Sequence, residues 1–431
     1  MDVVEILILV LSFVVLLGLG VPIAFSIGIA AMLTMLVSIP SIPAWTTLSQ
    51  RMITGLDSFA LLAIPFFILA GQLMNRGGIA RRLIDFAKVM VGMLPGGLAY
   101  VNILAAMLFG AISGSAVAAA SAIGGIMNPR MAKEGYSKGF SAAVNITAAT
   151  TGMIIPPSNI LIVYSLASGG VSIAALFLAG YLPGIVVGLA LMGVAGVYAY
   201  RNKYPVGERV RLKEAVLKFL DALPSLLLLI VVIGGIVVGI FTATEASAVA
   251  VLYCFVLALI YREVSLKNIP DILLSTVNTT AIVMLLIGTS MGMSWVMSFE
   301  NIPQGVSEVL LTISDNKVVV LLIINMILLF VGIFMDMTPA VLIFTPIFLP
   351  VVTELGMDPT HFGIVMVLNL CIGLCTPPVG SVLFVGCGVA NISISKVIKP
   401  LLPLFAAMVV ALILVTYIPE LSLWIPGLFG F

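Results

Sequence analysis

Four stretches of this chain set oxygen-bearing side chains or broken backbone inside otherwise apolar sequence. "FGAISGSAVAAAS" (109–121) carries Ser113, Gly114 and Ser115 at its centre, and "VGIFMDMTPAVL" (331–342) carries Gly332, Asp336 and Thr338. "TGMIIPPSNILIVYS" (151–165) holds Gly152, Pro156, Pro157, Ser158 and Asn159, and "IGLCTPPVGSVLFVG" (372–386) holds Gly373, Thr376, Pro377, Pro378 and Gly380. Proline lacks an N–H and clashes with the preceding turn, so each Pro-Pro step frees carbonyls just upstream. Such a break survives in hydrocarbon only inside protein or beside a water-filled cavity. Freed carbonyls with hydroxyls and one carboxylate suit a desolvated Na+, a hard cation that takes oxygen ligands. The helix after each break, expected to start at Ser158 or Val379, aims the positive end of its dipole at the same space, which favours an anionic group.

The elements that must position these residues are membrane helices. Of the 431 residues, 62% are hydrophobic and 9% charged, with a mean hydropathy of +1.28; an ordinary soluble domain is about a quarter charged. The fold class is therefore an all-α polytopic membrane protein, and a net charge of +1 suggests no nucleic-acid partner. Apolar segments fall near 4–20, 21–39, 58–75, 95–127, 140–167, 171–200, 222–240, 242–261, 276–297, 317–352, 362–390 and 400–418. A span needs about 20 residues, so 95–127 and 317–352 are too long for one crossing. The acidic start "MDVVEILILV" argues that the first apolar segment is retained, since a cleaved leader begins with basic residues. Cys254, Cys371, Cys375 and Cys387 all lie in apolar segments and read as small packing residues.

Basic residues set the expected topology, because short cytoplasmic loops are enriched in them. Clusters at 76–88, 130–138, 201–218, 262–267 and 396–399 hold 17 of the 19 Lys and Arg residues. The first two flank 95–127, which then enters and leaves on one side as a re-entrant hairpin with Ser113–Ser115 at its tip. The segment 317–352 is a second hairpin, dipping from the outer side with Asp336 at its tip, and both termini fall outside. An offset of 221 superposes Gly152 on Gly373 and Pro156-Pro157 on Pro377-Pro378; an offset of 222 pairs Gly110 with Gly332. The chain reads as two repeats, 1–220 and 221–431, each with five spans, one hairpin and one broken helix. An odd number of crossings inverts the second copy, an arrangement of secondary transporters whose site lies where the copies meet.

These features, with "GLDSFALLAIPFFILAG" (55–71) and "FTATEASAVA" (241–250), resemble the large membrane subunit of tripartite ATP-independent periplasmic (TRAP) transporters over essentially the whole chain. The resemblance implies a fold of the ion-transporter superfamily working as an elevator. Hairpins and broken helices would move, and the remaining spans would form a scaffold. It implies sodium-driven import of an organic acid across the bacterial inner membrane, with at least two Na+ ions. It also implies two partners, a small four-helix membrane subunit and a periplasmic substrate-binding protein. Carried over by position, one sodium site comprises Ser113, Gly114, Asn145, Gly152 and Pro156. The other comprises Gly332, Asp336, Gly373, Thr376 and Pro377. Ser115, Ser158, Asn159, Thr338 and Gly380 are the candidate substrate contacts.

Plainer roles compete for several of these residues. Asp336 could simply cap the helix that begins near Met337, and the small residues at 113–115 could simply allow close helix packing. Asn145 and Asn369 could satisfy backbone beside the breaks. Glu245 fits a structural hydrogen bond better than an ion site, Asp57 a helix cap, and Trp45, Trp295 and Trp424 interfacial anchors. An intramembrane serine protease would need a histidine beside Ser113, yet the sole histidine, His361, falls in an expected outer loop. A channel would need a continuous polar pathway. A stand-alone sodium/dicarboxylate carrier is the nearest alternative. A sialic acid and a C4-dicarboxylate are the leading substrate candidates, with overall similarity leaning to sialic acid.

Overall fold

A computed structural model describes residues 3–76, 78–207, 210–314, 316–377 and 380–431. The described elements are helical, in the order α1 (Val3–Gly18), α2 (Ile23–Ser38), α3 (Ser41–Leu56), α4 (Ala63–Arg76), α5 (Ile79–Val91), α6 (Gly97–Ser113), α7 (Ala116–Lys133), α8 (Lys138–Thr151), α9 (Asn159–Ala167) and α10 (Ile173–Arg201). The second half runs α11 (Leu212–Val237), α12 (Ala243–Ile260), α13 (Ile269–Phe299), α14 (Ile302–Ile313), α15 (Lys317–Phe334), α16 (Met337–Glu354), α17 (Pro359–Gly373), α18 (Ser381–Val389), α19 (Ile394–Tyr417) and α20 (Glu420–Leu428). Among the described residues eight helices are long and apolar enough to cross a membrane. The molecule is an all-helical, multi-span membrane protein.

Local sequence explains where the site-bearing helices start. Ser115 accepts a hydrogen bond from Ala118 N at 3.2 Å, Ser137 from Phe140 N at 3.3 Å, and Asp358 from Thr360 N at 2.7 Å, opening α7, α8 and α17. Each satisfies an amide that the first helical turn leaves without a partner. Thr242 and Glu245 form a reciprocal capping box at the start of α12, which gives Glu245 the structural role expected of it.

Several expectations need correction. Helices α3, α5, α14 and α20 lie outside the expected apolar segments. In α5, Arg81, Arg82, Asp85 and Lys88 dilute the hydropathy, while Ile79, Ala80, Leu83, Ile84 and Ala87 are buried on one face. The division at residue 220 falls inside α11, because Lys213, Glu214 and Lys218 hide its polar first turns from a hydropathy reading. Asp57 ends α3 rather than capping α4. His361 sits not in a loop but in the first turn of α17, buried, with Nε2 2.7 Å from Val415 O. The second arm after the later break begins at Ser381; Pro378 and Val379 lie outside the described residues.

The broken helices form the centre. Every residue from Phe140 to Thr151 and from His361 to Gly373 is buried, as a backbone break at membrane depth requires. Packing is reciprocal between the halves: α6 lies on α8 as α15 lies on α17, and α2 on α13 as α12 on α4. The short second arms cross over, α9 onto α16 and α18 onto α7. Two glycine pairs set the spacing. A Cβ on Gly110 would stand 2.7 Å from Gly152 Cα, and one on Gly373 2.6 Å from Gly332 Cα. All four cysteines are buried and free. Cys371 and Cys375 lie in the seam of α8 and α17, where Cys371 Sγ is 3.3 Å from Thr150 O.

Candidate functional site

The tip of the first hairpin is a single tight turn. Ser113 ends α6, and Gly114 takes the left-handed conformation at φ +61° and donates its N–H to Gly110 O at 2.8 Å. Ser115 then caps α7. Ser113 Oγ lies 3.4 Å from both the N and the O of Ser115, which ties the turn together weakly. Gly71 on α4 admits the tip, since a Cβ there would stand 2.8 Å from Ser113 O. A residue other than glycine at 114 must hold a strained backbone and meet Asn159 Nδ2 at 3.2 Å. Gly114→Ala is therefore expected to cost about 1–2 kcal/mol, the left-handed penalty. Gly114→Asn should cost less at the backbone, because asparagine tolerates that conformation. Thermal unfolding of the two purified variants checks the order; equal losses would show that the space beside Asn159, not φ, governs this position.

In the second hairpin α15 gives way to extended backbone at Met335 and Asp336, and α16 starts at Met337. Asp336 occupies the capping position, yet its side chain makes no capping hydrogen bond, with the Met337 N–H close to it. It is reached through open space while lying deep among protein atoms.

That open space is a cavity of about 480 Å3 that brings both tips together. Ser113, Gly114, Ser115, Asn159, Asp336 and Thr338 line it, all of them expected site residues. The others lie behind it. Asn145 is buried in α8 and donates from Nδ2 to Ala120 O at 2.8 Å. Gly152, Gly332 and Gly373 make the backbone contacts described above. Pro156 packs with Ile154 O against Gly180 of α10, so this freed carbonyl faces α10 rather than the cavity. Ser158 precedes α9, its buried Oγ without a partner. Thr376 donates its hydroxyl to Ile372 O at 2.8 Å. Pro377 ends the described part of the later break, and Gly380 precedes α18. Leu374 O and Thr376 O stand 2.7 and 2.8 Å from where a Gly380 Cβ would be, so only glycine fits against these two carbonyls.

Sequence reading missed Gln72 and Asn75 of α4, Ser121 of α7, Thr279 of α13 and Ser381 of α18, which complete the polar lining. Gln72 and Asn75 could have been found: amides three apart on an apolar helix share a face. Asn369 has the backbone role weighed for it, donating to Asn325 O at 2.9 Å. Among the described residues the lining contains one acid, Asp336, and no lysine, arginine or histidine. Among the described residues no three His, Cys, Asp or Glu side chains come close enough to hold a metal ion. One carboxylate among hydroxyls and amides is thus the chemistry this cavity offers.

Comparison with known proteins is consistent with this arrangement. Residues 10–421 match the family model for the tripartite ATP-independent periplasmic transporter, DctM component. The chain is 59% identical to the uncharacterized protein YgiK of Salmonella typhimurium, over 97% of this chain and 96% of that protein. It is 42% identical to the C4-dicarboxylate TRAP transporter large permease protein DctM of Pseudomonas aeruginosa, covering 94% of each. The Alcanivorax borkumensis YdaH transporter shares the fold, with a TM-score of 0.63 at 13% identity over 89% of this chain and 88% of that one. A buried pair of broken helices, two hairpin tips on one cavity and a family match over nearly the whole length lead to one assignment: the chain belongs to the DctM component family of tripartite ATP-independent periplasmic transporters, and is a transporter subunit rather than an enzyme.

Proposed function

We propose that this subunit carries an organic acid into the bacterial cell across the inner membrane, driven by Na+ and with both termini on the periplasmic side. The observation that supports this reading best is the cavity where Asp336 meets the Ser113–Ser115 tip. It holds one carboxylate and no basic side chain, so an organic anion entering alone would meet only repulsion. Sodium bound at Asp336 reverses that sign and draws the anion in. Binding of ion and substrate then becomes mutually dependent, which is what coupling requires. Ser113, Ser115, Asn159 and Thr338 supply hydroxyl and amide groups to the acid.

An elevator movement accounts for the cavity's walls. Ser113–Ser115, Asp336 and Asn159 belong to the hairpins and broken helices; Gln72, Asn75 and Thr279 belong to α4 and α13, which we assign to a scaffold. A site at the boundary between a moving body and a fixed one changes its exposure when the body slides. In this reading a small four-helix subunit braces the scaffold and a periplasmic binding protein delivers the acid. The nature of one relative suggests a C4-dicarboxylate, and a sialic acid is the other candidate.

The test is uptake into proteoliposomes holding this chain with its small subunit, using labelled succinate and sialic acid. Uptake should require both an inward Na+ gradient and the binding protein, falling to background when either is withheld. Full uptake of free substrate without the binding protein would favour a stand-alone sodium/dicarboxylate carrier. Full uptake driven by a pH gradient in the absence of Na+ would end the sodium assignment.

A further inference from the structure

On the lysine- and arginine-rich face of the molecule lies a second cavity, of about 700 Å3, which shares no lining residue with the first. Its walls come from the end of α5 (Lys88), the turn into α6 (Gly92, Leu98), the end of α7 (Lys133, Glu134, Gly135) and the link between α10 and α11 (Pro205, Val206, Gly207). The link is clasped to the α5–α6 turn. Gly96 N donates to Pro205 O at 3.3 Å, Pro95 and Val206 form an antiparallel bridge, and Gly207 packs on the Gly92 carbonyl. Three separate segments therefore hold one concave, polar site open.

Charge distinguishes this site from its neighbours. Nearby on α5, Asp85 pairs with Lys218 at 2.7 Å, and Arg82 with Asp221 and Glu263. Among the described residues no ion pair engages Lys88, Lys133 or Glu134. Among the described lining residues two lysines stand against one glutamate, one net positive charge that a singly charged anion balances. Its surroundings also matter. Met90, Met93, Leu94 and Val206 flank or line it with 55%, 46%, 43% and 62% of their surface exposed. Basic groups bordered by bare apolar side chains suit a ligand with a charged end and a hydrocarbon body. Basic pockets between membrane helices on the cytoplasmic side bind anionic headgroups in this way.

We propose that this cavity holds the headgroup of an anionic phospholipid, with its phosphate between Lys88 and Lys133. Glu134 accepts hydrogen bonds from headgroup hydroxyls, as in phosphatidylglycerol, and the acyl chains lie over Met90, Met93 and Leu94. The lipid would then tie the link between the two halves of the chain to the base of the first hairpin. This site does not depend on the identity of the transported acid.

Native mass spectrometry of the delipidated full-length chain tests the idea, with phosphatidylglycerol, phosphatidylethanolamine and phosphatidylcholine as probes and inorganic phosphate as competitor. Phosphatidylglycerol should bind preferentially. Lys88→Gln and Lys133→Gln together should weaken it about 25-fold, roughly fivefold for each basic residue at an anionic surface. Glu134→Gln, which raises the net charge of the site, should bind it more tightly, an outcome that misfolding cannot produce. Equal binding of phosphatidylglycerol and phosphatidylcholine, or an unchanged double variant, would overturn the proposal. Displacement of the lipid by millimolar inorganic phosphate would overturn the lipid assignment in favour of a soluble-anion site.

Discussion

Asp336→Asn is expected to abolish the stabilisation of this protein by Na+ and to lower its apparent Na+ affinity about a hundredfold, with little change in stability without sodium. Asparagine keeps the size of the side chain and an oxygen at the same position, so the turn into α16 is preserved. What disappears is the one negative charge in the cavity lining. Removing one partner of a buried charge pair costs about 3–5 kcal/mol. The lower end applies because Asp336 is reached by water through the cavity, and about 3 kcal/mol corresponds to roughly two powers of ten in affinity. The side chain makes no capping bond that its loss could break, so the sodium-free protein should unfold at nearly the native temperature. Thermal unfolding across a Na+ titration, with choline holding ionic strength constant, reads both quantities at once. If Asp336→Asn responds to sodium as the native chain does, Asp336 is no ligand and the site lies elsewhere.

The second large effect should come from the paired glycines, through packing rather than charge. A Cβ on Gly152 would sit 2.5 Å from Gly110 Cα, and one on Gly373 2.6 Å from both Cα and C of Gly332. The opposing atoms are backbone of a packed helix, so relief requires separating the hairpin arm from the broken helix. Overpacking of this kind costs about 1–3 kcal/mol, occasionally more. Gly152→Ala and Gly373→Ala should both fall at the upper end, since neither partner can rotate away. Gly193 on α10 supplies the control. A methyl added there would have nothing within 4 Å, and Gly193→Ala should be neutral or stabilising by about 0.5–1 kcal/mol. Thermal unfolding of the three variants in one detergent tests the contrast, and a Gly152→Ala protein as stable as Gly193→Ala would show that the α6–α8 seam is slack. The double change Gly110→Ala with Gly152→Ala should be worse than either alone, because the added methyls compete for the same space.

Both predictions concern residues that stand out in the sequence, but for different reasons from those the fold supplies. The family resemblance groups Gly152 and Gly373 with the sodium ligands; the structure shows that they also set the distance between helices. Asp336 stands where a cap is expected, and it occupies the capping position without making the bond. Glu245, on the other hand, reads as structural and is half of a capping box. Local hydrogen bonding of this kind depends on residues three or four apart, so it can be judged from the chain alone.

What the sequence determined by itself was whatever depends on the solvent and on near neighbours. Hydropathy placed the protein in the membrane because hydrocarbon admits only segments that satisfy their own backbone. The Pro-Pro steps marked breaks because proline has no amide proton to give. Two small or acidic centres in overlong apolar segments marked the hairpins. Only the tertiary structure decided which of these features share a cavity. Gln72, Ser113, Thr279, Asp336 and Ser381 meet across more than three hundred residues, and nothing in the neighbourhood of any one of them records the others. Their convergence depends on crossed packing of α9 on α16 and α18 on α7, which is set by side-chain shape and by the glycines that let backbones touch. The same packing turned the Ile154 carbonyl toward Gly180 and away from the cavity. A freed carbonyl follows from proline chemistry; the direction it faces follows from what packs around it.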